Sequence, residues 1–174
     1  AKIYNRKQMP RLVEAPRMPV DDLEEFGRRE RSLGHRVVLT NGCFDLLHPG
    51  HIAVFRAAAD LGDTLVVAVN SDTSVRRLKG ADRPVMSLDD RLTVLQSLRW
   101  VDMVVGFEQD TAGELIEMLR PDCYVKGADY GPKPNATPLP EWPTLQRLSV
   151  EVVFVPLLPG STSTNLISRY GNTS

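Results

Sequence analysis

Short apolar runs of strand character alternate with stretches of helical spacing along most of the chain. Arg36 to Thr40 (RVVLT) is a β-branched run of the kind that forms a strand buried on both faces. Turn residues follow, then helical spacing from His51 to Leu61, ended by Gly62 and Asp63, and then a second apolar run, Thr64 to Asn70 (TLVVAVN). Together they predict a βαβ unit. Beyond a basic loop from Ser71 to Pro84, a helix is expected from Ser87 to about Arg99. Its opening Ser-Leu-Asp-Asp resembles a capping box with acid in place of Glu. A strand at Val101 to Val105, a helix from about Thr111 to Leu119 stopped by Pro121, and a strand at Cys123 to Lys126 come next. A Pro-rich loop spans Tyr130 to Pro143, Val150 to Val155 reads as a strand, and a last helix is expected from near Ser161. At the other end, Pro10, Pro16 and Pro19 with no period predict an extended arm over residues 1–20. A charged helix then runs from Asp21 and Asp22 to about Ser32, with Gly34 as its stop. The alternation predicts an α/β fold: a Rossmann-like, doubly wound, mostly parallel sheet of about five strands with helices on both faces, in one domain over residues 21–174.

Composition narrows the function classes. At 174 residues, 42% hydrophobic and 25% charged, the chain suits one globular domain and excludes collagen-like, coiled-coil and disordered classes. With 21 basic and 22 acidic residues the formal charge is −1, so no global field attracts nucleic acid or an anionic membrane, and any anion site must be local. Cys43 and Cys123 form neither a zinc spacing nor a disulfide framework, as suits a reducing compartment. No apolar run approaches the ~18 residues of a membrane span, and Ala1 to Met9 lacks a signal-peptide core. A cytoplasmic location is expected, with no nucleic-acid or membrane partner.

The loop after the first strand, Thr40 to His51 (TNGCFDLLHPGH), carries the densest chemistry. In a doubly wound sheet the ligand crevice lies beyond the carboxyl ends of the strands, which is where this loop falls. Two of the three histidines, His48 and His51, flank Pro-Gly at a helix start, so both imidazoles sit over a helix N-terminus suited to phosphate. Gly42 and Gly50 allow the backbone to approach an anion. Helix capping by a partly buried histidine is the plainer alternative for either residue alone. A zinc site lacks a third ligand, and the Gly-x-x-x-x-Gly-Lys-Ser/Thr pattern of a P-loop is absent.

His48-Pro49-Gly50-His51 resembles the His-x-Gly-His motif of the nucleotidylyltransferase superfamily with the cytidylyltransferase-like fold. Thr40-Asn41-Gly42-Cys43-Phe44-Asp45, Val67 to Asp72, Arg77-Leu78-Lys79-Gly80 with Arg83-Pro84-Val85, Val125 to Tyr130, and Pro159 to Asn165 extend the likeness in collinear order. Together these segments look like the adenylyltransferase part of the ADP-heptose synthases. The resemblance covers roughly Val37 to Ser168 and leaves out the N-terminal arm. It implies in-line attack on the α-phosphorus of a nucleoside triphosphate with release of pyrophosphate and no covalent enzyme intermediate.

By this resemblance His48, His51, Lys79 and Lys126 are the catalytic candidates. Thr40, Asn41, Gly42, Cys43, Phe44, Gly50, Gly127, Asp129, Ser161, Thr162 and Ser163 fall to the nucleotide. Asp45, Asn70, Asp72, Arg83 and Arg91 fall to the acceptor substrate. Several carry plainer readings: Asn70, Asp72 and Asp45 as turn formers, Arg91 as an anchor for the basic loop, one of the Ser161 to Ser163 hydroxyls as an N-cap, and Cys43 as a packing residue. Arg76 and Arg77 are assigned neither way. The expected reaction is transfer of AMP from ATP, with Mg2+ accompanying the ATP, to a heptose 1-phosphate, giving ADP-heptose. A CTP-dependent transfer to glycerol phosphate or another polyol phosphate, and a non-catalytic nucleotide-binding module, are the alternatives. A homodimer or higher homo-oligomer is expected. The chain's length leaves no room for a sugar kinase, so the sugar phosphate is expected from a separate one. After Leu139-Pro140-Glu141 the chain lacks the Gly-Gly turn frequent in the family, a departure that bears on the acceptor and not on the chemistry.

Overall fold

In a computed structural model of the chain, residues 14–130 and 137–156 are described. Six strands form one sheet: β1 (Arg17–Met18), β2 (Val37–Gly42), β3 (Thr64–Asn70), β4 (Met103–Phe107), β5 (Cys123–Gly127) and β6 (Glu151–Val155). Their order is β1-β4-β3-β2-β5-β6, and every pair is parallel. The helices are α1 (Leu23–Ser32), preceded by a 3-10 turn over Val20–Asp22, then α2 (Pro49–Asp60), α3 (Asp72–Lys79), α4 (Leu88–Gln96), α5 (Gly113–Leu119) and α6 (Trp142–Arg147).

All seven residues of β3 are buried because the sheet is covered on both faces. The period-2 pleat sorts them: Leu65, Val67 and Val69 join Val38, Phe55 of α2 and Leu95 of α4 on one side. On the other, Val66 and Ala68 meet Leu39, Leu23 of α1, Leu115, Ile116 and Leu119 of α5, and Leu145 of α6. Gly27 lets α1 lie against α5, since a Cβ there would overlap the Leu119 carbonyl.

The fold class stands as expected, with six strands instead of about five. The extra one, β1, comes from the segment expected to be an extended arm. Ala15 N donates to Gln96 O (3.1 Å), Val104 N to Pro16 O (3.1 Å), and Arg17 and Met18 pair with Val104 and Val105. Two helices were also missed. The segment expected as a basic loop contains α3, whose N-cap Ser71 accepts from Ser74 N and whose acidic start and basic end suit the helix dipole. The Pro-rich loop ends in α6, where Pro143 occupies a first-turn position that needs no N–H donor. The last helix, expected near Ser161, lies outside the described residues.

Ladder register creates the crevice. β2 pairs with β3 along its whole length to Gly42, but with β5 only at Val38 and Leu39. Past that point the two central strands part, with Asn41 and Gly42 at one lip and Lys126 and Gly127 at the other. This is where the strand order reverses, the usual ligand position in such sheets.

Candidate active site

Beyond β2 the chain makes a tight bend in which Phe44 takes a left-handed conformation (φ 47°). Its ring turns back over Gly42, where a Cβ would stand 3.1 Å from it, and packs on Phe55 at 5.2 Å. It also meets His51 edge-on at 5.4 Å. Phe44 is therefore a wedge under the histidine as well as part of the loop. His48 is the N-cap of α2 and Pro49 opens the helix, with no side chain capping that end. The two imidazoles stack with centroids 3.8 Å apart and 26° between planes.

The Nδ1 atoms of both histidines are buried and have no hydrogen-bond partner among the described residues. Burial pushes His48 below its ordinary range. His51 is lowered to about 3 by burial first and by its stacked neighbour second. Both rings are accordingly neutral near pH 7 and act as N–H donors, not cations.

The cationic charge comes from other elements. Lys126, at the end of β5, is 8% exposed; its Nζ donates to Asn41 O (3.1 Å) and lies 4.7 Å from the centroid of the Tyr130 ring. Burial lowers its pKa, against the opposing pull of Glu141 and Asp129. Lys79 is exposed at the end of α3, near enough for its charge to act on both Lys126 and Cys43. Four cations, Lys79, Arg91, Lys126 and Arg83, act on Cys43. Burial nonetheless raises its thiol pKa, which marks a packing residue and not a thiolate nucleophile.

Several of the residues expected to contact ligand also hold the site together. Arg91 is fully buried and bridges three segments. Nε donates to Met86 O (3.1 Å), one terminal nitrogen to Cys43 O and Asn70 O (2.8 Å), and the other to Asp72 Oδ1 (2.7 Å). These bonds suit the anchoring role read for Arg91 and occupy Asp72 as its partner. Asp45, 2% exposed, accepts from Val85 N (2.7 Å), Met86 N (3.0 Å) and Arg83 Nε. Asp45 thus pins the loop before α4, and Arg83 is held to it through Nε. The Asn70 amide donates to Ser74 Oγ (3.0 Å) and Gln109 O (3.2 Å), and the Thr40 hydroxyl to Val125 O (2.8 Å), so both are internal supports. Arg77 pairs with Asp110 and leaves the cleft. Gly50 is buried in the first turn of α2. Gly127 pairs with Val155, and Asp129 is exposed at the crevice rim. Ser161, Thr162 and Ser163 lie outside the described residues.

Residues that the sequence did not single out complete the wall. The Tyr124 hydroxyl donates to Asn41 Oδ1, and Glu141, 3% exposed, accepts from Ala112 N (2.9 Å). Their signal was an aromatic in a buried strand and the Glu of Leu139-Pro140-Glu141. Neither type in isolation points to a site.

Among the described residues, no group of three or more His, Cys, Asp or Glu side chains is placed to hold a metal. Asp45 and Asp72, the nearest candidates, are already bound to arginines. The described side chains therefore do not fit a resident magnesium cage. Nor, among them, is any helix long and apolar enough to cross a membrane.

A parallel sheet parted at its switch point carries a buried lysine at the end of β5 and, at the helix start after β2, a stacked histidine pair, an arrangement suited to phosphate groups. The pattern of the cytidylyltransferase-like family matches residues 39–168, and the chain belongs to that family. It is 51% identical over 124 residues to the bifunctional protein HldE of Nitrosococcus oceani, covering 71% of this chain and 26% of that protein. It is 47% identical over 149 residues to that of Streptomyces coelicolor, covering 86% and 31%. With HldE of Paramagnetospirillum magneticum it shares 46% over 158 residues, covering 91% and 32%. The chain thus spans roughly a quarter to a third of these relatives' length. Among solved structures, the lipopolysaccharide core biosynthesis protein from Thermoplasma volcanium superposes with a TM-score of 0.57 at 28% identity, covering 72% of this chain and 98% of that one.

Proposed function

We propose that this domain transfers AMP from ATP to a heptose 1-phosphate, forming ADP-heptose and pyrophosphate. The observation that carries the reading is the stacked, neutral imidazoles of His48 and His51, each with an unpartnered Nδ1, at the open end of α2. Each neutral imidazole carries one N–H to donate, and phosphate oxygens over a helix N-terminus are suited to accept it.

In the reaction an acceptor phosphate oxygen forms a new bond to the α-phosphorus while the bond from that phosphorus to the pyrophosphate oxygen breaks. No protein nucleophile takes part. The imidazole N–H groups hold α- and β-phosphate oxygens, and their donation strengthens as negative charge grows in the transition state. Lys126 and Lys79 neutralise the triphosphate from opposite lips, and Mg2+ arrives with ATP. Arg91, Asp45 and Arg83 act indirectly, by holding the loop and the end of β3 so that the histidine pair meets the substrate in one geometry.

The choice of a heptose phosphate rests on the motif likeness to ADP-heptose synthases. It is supported by the near-50% identities to HldE proteins and by the likeness to a lipopolysaccharide core biosynthesis protein. A sugar kinase supplies the acceptor, on the same polypeptide or another. Mass-spectrometric screening of the common nucleoside triphosphates against heptose 1-phosphate and glycerol phosphate tests the reading. ADP-heptose from ATP is the expected product. CTP as the sole productive donor, or glycerol phosphate as the sole acceptor, would overturn it.

A further inference from the structure

Residues 15–18 do more than add an edge strand. The Arg17 guanidinium spreads over the outer face of α4. Its Nε donates to Gln96 Oε1 (2.5 Å), one terminal nitrogen to Asp89 Oδ1, and the other to Thr93 Oγ1 (2.6 Å) and Asp89 O (3.2 Å). Gln96 closes the clasp: its Nε2 donates to Ala15 O (2.6 Å), and its own carbonyl accepts from Ala15 N (3.1 Å). Ala15 is 1% exposed and shares an apolar cluster with Leu92 and Leu95 of the same helix.

Asp89, Thr93 and Gln96 stand at i, i+4 and i+7, so they form one stripe along α4. Arg91 follows Asp89 by two residues and therefore leaves the helix about 200° around from it, on the opposite side. There it holds Cys43 O and Asn70 O, Asp72 Oδ1 and Met86 O. Helix α4 thus stands between two arginines. Arg91 uses it as the base from which to hold the loop after β2 and the start of α3, and Arg17 grips its back. The grip is anchored in the sheet, because Arg17 and Met18 pair with Val104 and Val105, and Val104 N donates to Pro16 O.

As an exposed ion pair, Arg17 with Asp89 contributes little to stability, since the two side chains are 39% and 78% exposed and water screens them. A planar fork shared among three residues of one helix face has a different effect: it fixes the rotation of the helix against the sheet. At a side-chain radius of about 5–6 Å, a rotation of about 10° carries a side-chain tip by about 1 Å. A shift of that size breaks a bond such as the 2.8 Å contact from Arg91 to Asn70 O.

We propose that Arg17 is a positioning residue of the nucleotide site: by clamping the outer stripe of α4 to the sheet edge it fixes the rotation of that helix, and with it the reach of Arg91 to Cys43, Asn70 and Asp72.

The consequence for phosphate handling rests on the function proposed above, but the first test does not. Amide hydrogen exchange is followed in ligand-free parent and Arg17→Ala proteins. The variant should exchange about tenfold faster in α4 and also beyond it, in residues 43–47 and 71–75, with α1 and β6 unchanged. Arg17→Lys keeps the charge but not the fork, so it should resemble Arg17→Ala. Acceleration confined to β1 and α4, or full protection restored by lysine, would overturn the proposal. Should Arg17→Ala not fold, Asp89→Ala/Thr93→Val opens the same clasp from exposed helix positions and must show the same spread to residues 43–47 and 71–75; its absence there would overturn the proposal equally. In the transfer assay, Arg17→Ala should lower kcat/KM for ATP about tenfold, although Arg17 lies on the far side of α4 from Arg91 and its loop contacts. An unchanged kcat/KM with the loop loosened would overturn the role at the site. The same spread of exchange in a protein whose parent transfers no nucleotide would uphold Arg17 and reject the proposed reaction, so the two failures are separable.

Discussion

Replacing Arg91 by Met separates a side chain that touches substrate from one that holds the loop. Met has similar reach and no charge. The substitution removes the guanidinium from Met86 O, Cys43 O, Asn70 O and Asp72 at one stroke, from a side chain with no exposed surface. Asp72, 33% exposed, can rehydrate, but the carbonyl acceptors at this fully buried side chain lose their donor. At about 1–3 kcal/mol for each buried group left unsatisfied, the three carbonyls come to at least about 3 kcal/mol, in line with the about 3–5 kcal/mol for breaking a buried ion pair. That is a large share of the roughly 5–15 kcal/mol that holds a domain folded. With about 2–4 °C of melting temperature per kcal/mol at this chain length, the ligand-free variant should melt about 10 °C or more below the parent. The assay is calorimetry or circular dichroism on ligand-free protein, with ATP and acceptor KM measured below the transition. A melting temperature within about 2 °C of the parent, together with a raised acceptor KM, would refute the anchoring role and restore direct contact with substrate.

His51→Ala should fold and lose about 10²-fold or more in turnover, the usual cost of one transition-state donor; turnover within tenfold of the parent would remove it from the chemistry. The depressed His51 pKa, about 3 against an unfolded value near 6.5, has a definite sign for stability. Between those values the unfolded chain binds the extra proton, so the stability His51 contributes is complete above about pH 6.5 and lost as pH falls towards 3. Urea titrations at roughly pH 7.5 and 5.5 should show the parent losing about 1 kcal/mol more than His51→Gln over that step; equal losses would show that the ring is not buried neutral. Gly27→Ala would force α1 off the Leu119 carbonyl of α5 and should cost about 1–3 kcal/mol, read as a lowered urea midpoint, with kcat unchanged because that contact is remote from the cleft.

Much of this protein could be read along the chain because its information is local. β3 is a continuous β-branched run whose period sorts itself between two covered faces, and Thr64 to Asn70 are the bounds found. The histidine pair is legible because both residues and the Pro-Gly between them belong to one helix start, where N-cap and N3 positions are fixed relative to each other by helix geometry alone. Helix α3 left a fainter local trace. Its Ser71 cap and its polarity of charge are in the sequence, but a single buried apolar residue, Val75, gives it no stripe.

What the sequence leaves open is every relation across the sheet. Arg91 reads as a cation one turn into a helix, and nothing in its neighbours says that it will reach Cys43, 48 positions earlier, and be consumed there as an anchor. Asp45 and Arg83 read as two free charges and become each other's partner. Residues 17 and 18 have no strand pattern at all, and are a strand only because β4 offers an open edge for them to pair with. Lys126 gains its place beside Asn41 from strand order, since β5 lies next to β2 and pairs with it only to Leu39. Local periodicity records which face of an element is apolar; the partner of a buried charge is set by packing over long separations, which no stretch of sequence encodes by itself.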